Sequence, residues 1–139
     1  MDDLNNELEL LRSLKKQNHE LKICFDKIVD ENIKKNVKDI IIISDKIYKE
    51  ILVNTIKIDK AKNYIRFYLV SVIKVIDRYV TFKDAGINNK EALNIYEKIE
   101  DFLPRAYEGI SKVYESLFSD DILDIDSEIK VMLIELGMK

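Results

Sequence analysis

The chain has 139 residues, is 47% hydrophobic and 35% charged, and contains 3 Gly, 1 Pro and 1 Cys. That length suits one domain with a hydrophobic core of its own, and so few turn-forming residues favour helices over sheets. A lone cysteine makes no internal disulfide, and a net charge of −3 with no basic patch argues against a general nucleic-acid binder, so the expected setting is cytoplasmic.

Apolar spacing divides the chain into five helical segments. The first spans about residues 2–29; Leu4, Leu8 and Leu11 share a face, as do Leu21, Phe25 and Ile28, and a polar stretch from Lys15 to Glu20 lies between the two patches. A stripe interrupted in this way packs poorly along a whole bundle. The Leu4–Leu8–Leu11 patch is therefore expected to meet another chain, as a homo-oligomer or with a helical partner. The second segment, about 33–53, carries Ile33, Val37, Ile40, Ser44, Ile47 and Ile51 at steps of three and four, widened by Ile41, Tyr48 and Leu52.

The third segment, about 59–84, has Asp59 as a candidate cap and a stripe of Ala61, Ile65, Tyr68, Leu69, Val72, Ile76 and Tyr79, with Gly86 as its stop. The fourth, about 89–119, repeats Ala92, Ile95, Ile99, Leu103, Ala106, Ile110, Val113 and Leu117 like a coiled-coil seam. Pro104 inside it removes one helical hydrogen bond and predicts a kink near Glu100–Pro104. The fifth, about 127–136, is short and ends at Gly137. The fold class expected is all-α: an antiparallel bundle of three to four long helices plus a short C-terminal helix, with segments two, three and four as its core. The domain organisation expected is a single helical domain over 1–139, with residues 33–137 as its helical core and residues 1–30 as a helix that either adds a fourth member to the bundle or projects to face a partner. No apolar run approaches the length of a bilayer span.

The acidic stretch from Asp120 to Glu128 is the most distinctive local feature. A calcium loop needs alternating oxygen ligands and a glycine at its turn, neither of which is present. Asp121, Asp124, Asp126 and Glu128 are the best metal ligands the chain offers, and no metal or cofactor is expected on them. Asp124-Ile125-Asp126 also matches the nucleophile and acid pair of haloacid-dehalogenase phosphatases, but only thirteen residues follow it where that class needs an α/β domain. Helix capping is the preferred reading: Asp124, Asp126 or Ser127 accepts from the first N–H groups of the last helix. His19, the single histidine, is read as a solvated side chain, and Cys24 as a small buried hydrophobe. The tyrosines of the third and fourth helices are read as core-rim residues with hydroxyls reaching solvent. No catalytic residue is assigned.

Two stretches together resemble a known family. One runs from Tyr64 to Tyr79 (YIRFYLVSVIKVIDRY); the other includes Leu117-Phe118, Asp121 and the run Leu123-Asp124-Ile125-Asp126-Ser127-Glu128-Ile129-Lys130-Val131-Met132. The chain is similar there to the XpaC-like family of 5-bromo-4-chloroindolyl phosphate hydrolysis proteins, over about residues 33–137. Val70 stands where the resemblance expects a proline. The resemblance implies hydrolysis of a chromogenic phosphate ester without naming catalytic residues. It also implies the company of a toxic-anion-resistance protein of the TelA-like kind, itself helical.

Overall fold

The computed structural model describes residues 2–138. Among them every regular element is a helix: α1 (Asp2–Lys27), α2 (Glu31–Val53), α3 (Ile58–Asn63), α4 (Leu69–Asp84), α5 (Lys90–Ser116) and α6 (Ser119–Glu135). A 3₁₀ turn at Thr55–Lys57 precedes α3, and a π-helical turn at Tyr64–Tyr68 joins α3 to α4 as one rod. α2 packs against α1 and α5, and α4 packs against the same two helices, so four long helices enclose one core. Short links make sequential helices antiparallel, the expected all-α bundle.

The links have local causes. Asp30 caps α2, where the Ile33 N–H donates to its Oδ1 at 2.9 Å; Asn89 caps α5, where the Ala92 N–H donates to its Oδ1 at 2.9 Å. Gly86 ends the α4 side of the next link with φ +69°, a left-handed conformation that a side chain would strain. Asp30→Ala is expected to cost about 1 kcal/mol of stability, read as a lower urea midpoint at unchanged slope. A shift no larger than that of an exposed control such as Glu31→Ala would show the cap to be dispensable.

α1 differs most from its sequence pattern. Its stripe is not interrupted: Leu10, Leu14, Asn18, Leu21, Cys24 and Ile28 are all buried at steps of three and four. Asn18 carries the stripe through the polar stretch because the core supplies it with partners. Its Nδ2 donates to the Ser44 carbonyl at 3.2 Å, its Oδ1 accepts from the Ser44 hydroxyl, and the Tyr64 hydroxyl donates to Ser44 Oγ at 2.6 Å. α1 is thus a full fourth member of the bundle. Of the three leucines assigned to a partner-facing patch, Leu4 and Leu8 are exposed and Leu11 packs half-buried against the core.

The π-helical turn accounts for a second difference. One extra residue in the turn rotates the register. Tyr64 and Ile65 both face inward, while Phe67 and Tyr68 swing outward, so Tyr68 leaves the predicted stripe. Asp59 caps nothing; it pairs with Lys62 at 2.7 Å, since the preceding 3₁₀ turn already feeds the helix. In α5 the core position given to Ile95 is taken by Tyr96, whose hydroxyl donates to the Ile87 carbonyl at 2.6 Å and whose ring meets Tyr79 edge-on at 5.6 Å. Leu52 in the last turn of α2 is exposed as well. Tyr64, Tyr79 and Tyr96 therefore lie within the core rather than at a wet rim. α5 runs unbroken through Pro104, which faces solvent.

Candidate docking surface

The C-terminal helix starts eight residues earlier than its pattern predicts, at Ser119 instead of Ser127, and is 17 residues long. The acidic stretch therefore lies inside a helix and not in a loop before one. Asp124, Asp126 and Ser127 do not cap it, because their neighbours' N–H groups already donate within the helix; Phe118 occupies the cap position.

The root of α6 is fixed by two lysines. Lys57, almost fully buried, reaches Asp121 at 2.6 Å and Glu50 at 2.9 Å, and its ammonium lies 4.4 Å from the Phe118 ring centre. The bonds to Asp121 and Glu50 raise the Lys57 pKa against the opposing effect of burial, so it stays charged at every physiological pH. Lys60 reaches Asp120 at 3.4 Å and the Ser119 hydroxyl at 3.2 Å. Leu117 beneath this junction is fully buried, and the Phe118 ring meets Tyr114 edge-on.

Beyond the root, α6 buries no residue. Ile122, Ile125, Ile129, Met132 and Leu136 repeat at steps of three and four and are each more than half exposed. At 100° per residue they share one stripe. Asp121, Asp124, Glu128 and Glu135 run along one edge of that stripe, and Asp126 lies at the other, paired with Lys130 at 2.9 Å. A helix with an apolar seam and nothing on it has the form of a docking element.

A complementary feature lies between α4 and α5. An open apolar groove of about 400 Å³ is floored by Val75, Phe82, Ile95, Ile99 and Phe102 and edged by Lys74, Arg78 and Lys98. It continues at Phe102 into a second hollow of about 480 Å³ along Phe67, Tyr68, Val72 and Val113. Tyr68 lies over Gly109, where any side chain would collide with its hydroxyl. None of the three edging cations pairs with a carboxylate among the described residues. Sequence reading missed this groove, because Lys74, Arg78 and Lys98 come together only when α4 and α5 pack antiparallel.

The residues considered for chemistry do not converge. Asp121 is held by Lys57, while Asp124, Asp126 and Glu128 point away from the bundle along an exposed helix. Among the described residues no three His, Cys, Asp or Glu side chains are placed to hold one metal ion. Cys24 is a buried thiol whose pKa is pushed up by burial and, secondarily, by the Asp77 charge, the reverse of an activated nucleophile. His19 is exposed on α1. No described helix is long and apolar enough to cross a membrane.

A family model described as 5-bromo-4-chloroindolyl phosphate hydrolysis protein matches residues 6–132. The match takes in nearly all of α1 and most of α6, and so begins well before residue 33, where the resemblance in sequence was expected to start. Comparison with curated proteins and with solved structures gives no match.

Proposed function

The chain belongs to the family of 5-bromo-4-chloroindolyl phosphate hydrolysis proteins, and from that premise we propose that it acts as a non-catalytic helical interaction protein, docking through α6 rather than turning over a substrate. The observation that carries this reading is the exposed apolar seam of α6 on a rigidly held root. Exposed seams of this length on a folded chain mark protein contacts. A helical toxic-anion-resistance protein of the TelA-like kind, in the cytoplasm, is the partner proposed; Leu4 and Leu8 at the start of α1 offer a second, smaller patch.

The alternative reading, a phosphoesterase, draws support from the family's description and from the three cations around the α4/α5 groove, which suit an aromatic phosphate ester in charge and size. Hydrolysis further needs an activated nucleophile or a metal. The carboxylates of α6 neither converge on one point nor face that groove.

Two measurements separate the readings. Highly purified protein is expected to hydrolyse 5-bromo-4-chloroindolyl phosphate at the same background rate with and without Mg²⁺, Mn²⁺ or Zn²⁺. Asp124→Asn with Asp126→Asn is expected to leave that rate unchanged. Calorimetric binding to the TelA-like protein is expected for the wild type and lost in Ile125→Asp with Ile129→Asp, whose side chains are exposed and leave the core untouched. A metal-dependent rate that falls in the Asp double variant would establish intrinsic catalysis and reject the interaction reading.

A further inference from the structure

The chain carries both halves of a helix-in-groove contact. Resting on the interaction reading of α6, we propose that α6 of one copy lies in the α4/α5 groove of a second copy, reciprocally, to form a symmetric dimer that holds the seam until the helical partner displaces the groove from it. Length, shape and charge all agree. From Phe67 to Phe82 the groove follows α4 for about 22 Å, and α6 is about 25 Å long, at 1.5 Å per residue. The groove floor, Val75, Ile99 and Phe102, is apolar and open, as is the seam of α6.

Charge selects the pairing. α6 carries six acidic residues and one lysine, and the groove edge carries Lys74, Arg78 and Lys98 with no carboxylate among its lining residues. Seating the seam brings the Asp124 and Glu128 edge against that rim. Pairing two α6 seams with each other would instead set acidic edges side by side, which opposes association. Return of α6 to its own groove is opposed by its root. Only Leu117 and Phe118 separate it from α5, and Lys57 and Lys60 tie its first turn to the α2–α3 corner. A second copy meets the groove without breaking those ties. Reciprocal exchange uses the same two surfaces twice, as two-fold dimers do.

The test uses the full chain. Sedimentation velocity at micromolar concentration is expected to show a dimer. Lys74→Glu with Lys98→Glu is expected to weaken it at least tenfold, and mixing that variant with Asp124→Lys plus Glu128→Lys is expected to recover a mixed dimer. All four side chains are exposed, so the fold is kept, as a circular-dichroism melt would verify. Under oxidation, one tagged preparation bearing Ile129→Cys and another bearing Lys98→Cys are expected to form a mixed disulfide, while buried Cys24 forms none in wild type. A disulfide between two Ile129→Cys chains in preference to the mixed one would show seam-to-seam pairing and overturn the proposal. So would a monomer at all concentrations, including one in which an Ile129→Cys, Lys98→Cys double variant closes on itself. A monomer that still bound the TelA-like protein through α6 would sink the exchange and leave the interaction reading standing. A dimer with metal-dependent phosphoesterase activity would retain the exchange and sink that reading.

Discussion

Leu14→Ala is expected to lower the unfolding free energy by about 2–5 kcal/mol, the range for deleting a fully buried leucine side chain where the surroundings cannot close the cavity. Leu14 has no exposed surface and lies on α1 between α2 and α4. Its loss would leave a void walled by rigid helices on more than one side. Deleting residues 1–14 removes Leu10 as well, and the shortened chain is expected to be unfolded or molten at 37 °C, since a domain of this size has about 5–15 kcal/mol to lose. Leu4→Ala, at an exposed position near the start of the same helix, should stay within about 0.5 kcal/mol of wild type. Urea unfolding followed by circular dichroism checks all three. A 1–14 deletion that keeps the wild-type midpoint would mean that α1 is an appendage, and that its exposed leucines serve some contact outside the fold.

The fold was legible in the sequence where one periodicity governed a whole segment. In α2 the stripe from Ile33 to Ile51 is buried as its spacing predicts, because every position on it is apolar or, at Ser44, small. α1 was misread at a single residue. Asn18 looks like surface in a one-dimensional pattern, since nothing in its neighbourhood announces a partner, Ser44, that lies 26 residues away on another helix and is itself held by Tyr64. The π-helical turn had no sequence signal either, and it alone moves Tyr68 out of the predicted stripe and Tyr64 into the core.

The candidate site was less legible for a different reason. Acidic residues between two apolar patterns read equally as a loop or as a solvated helix face. What decides between them is Lys57, 64 residues from Asp121, which gives the first turn of α6 a charged anchor and lets the helix begin at Ser119. The same residues, once helical, stop being caps and become the charged edges of an apolar seam. Composition alone contained the seam but not its exposure: exposure follows from the bundle being closed by α1, which leaves α6 no place within it.

The buried set Asn18, Ser44 and Tyr64 makes the second large expectation. Asn18→Leu fills the same volume but strips the Ser44 hydroxyl of its acceptor, and a buried polar group left without a partner costs about 1–3 kcal/mol. The Tyr64 hydroxyl still donates to Ser44 Oγ, so the loss is confined to the two bonds Asn18 makes with Ser44, and only the Ser44 hydroxyl proton is left desolvated. Removing the whole set with Asn18→Leu, Ser44→Ala and Tyr64→Phe is therefore expected to restore most of what the single change loses, because no orphaned group then remains. Alkaline pH provides an independent reading. Burial pushes the Tyr64 pKa above its ordinary value near 10, and burial also raises Tyr79, to about 12. Both hydroxyls stay protonated in the bundle at pH values where the unfolded chain has already released those protons. Their contribution is thus complete below pH of about 10 and declines as pH rises past it, by up to about 1.4 kcal/mol per pH unit for each tyrosine. The Lys57 pKa is raised as well and adds a loss of the same sign at the alkaline end. Tyr64→Phe should flatten the fall in stability between pH 9 and 11 while leaving the Tyr79 and Lys57 components in place. An unchanged slope in urea titrations across that range would mean that the Tyr64 hydroxyl reaches water, and that the three-residue set is not closed within the core.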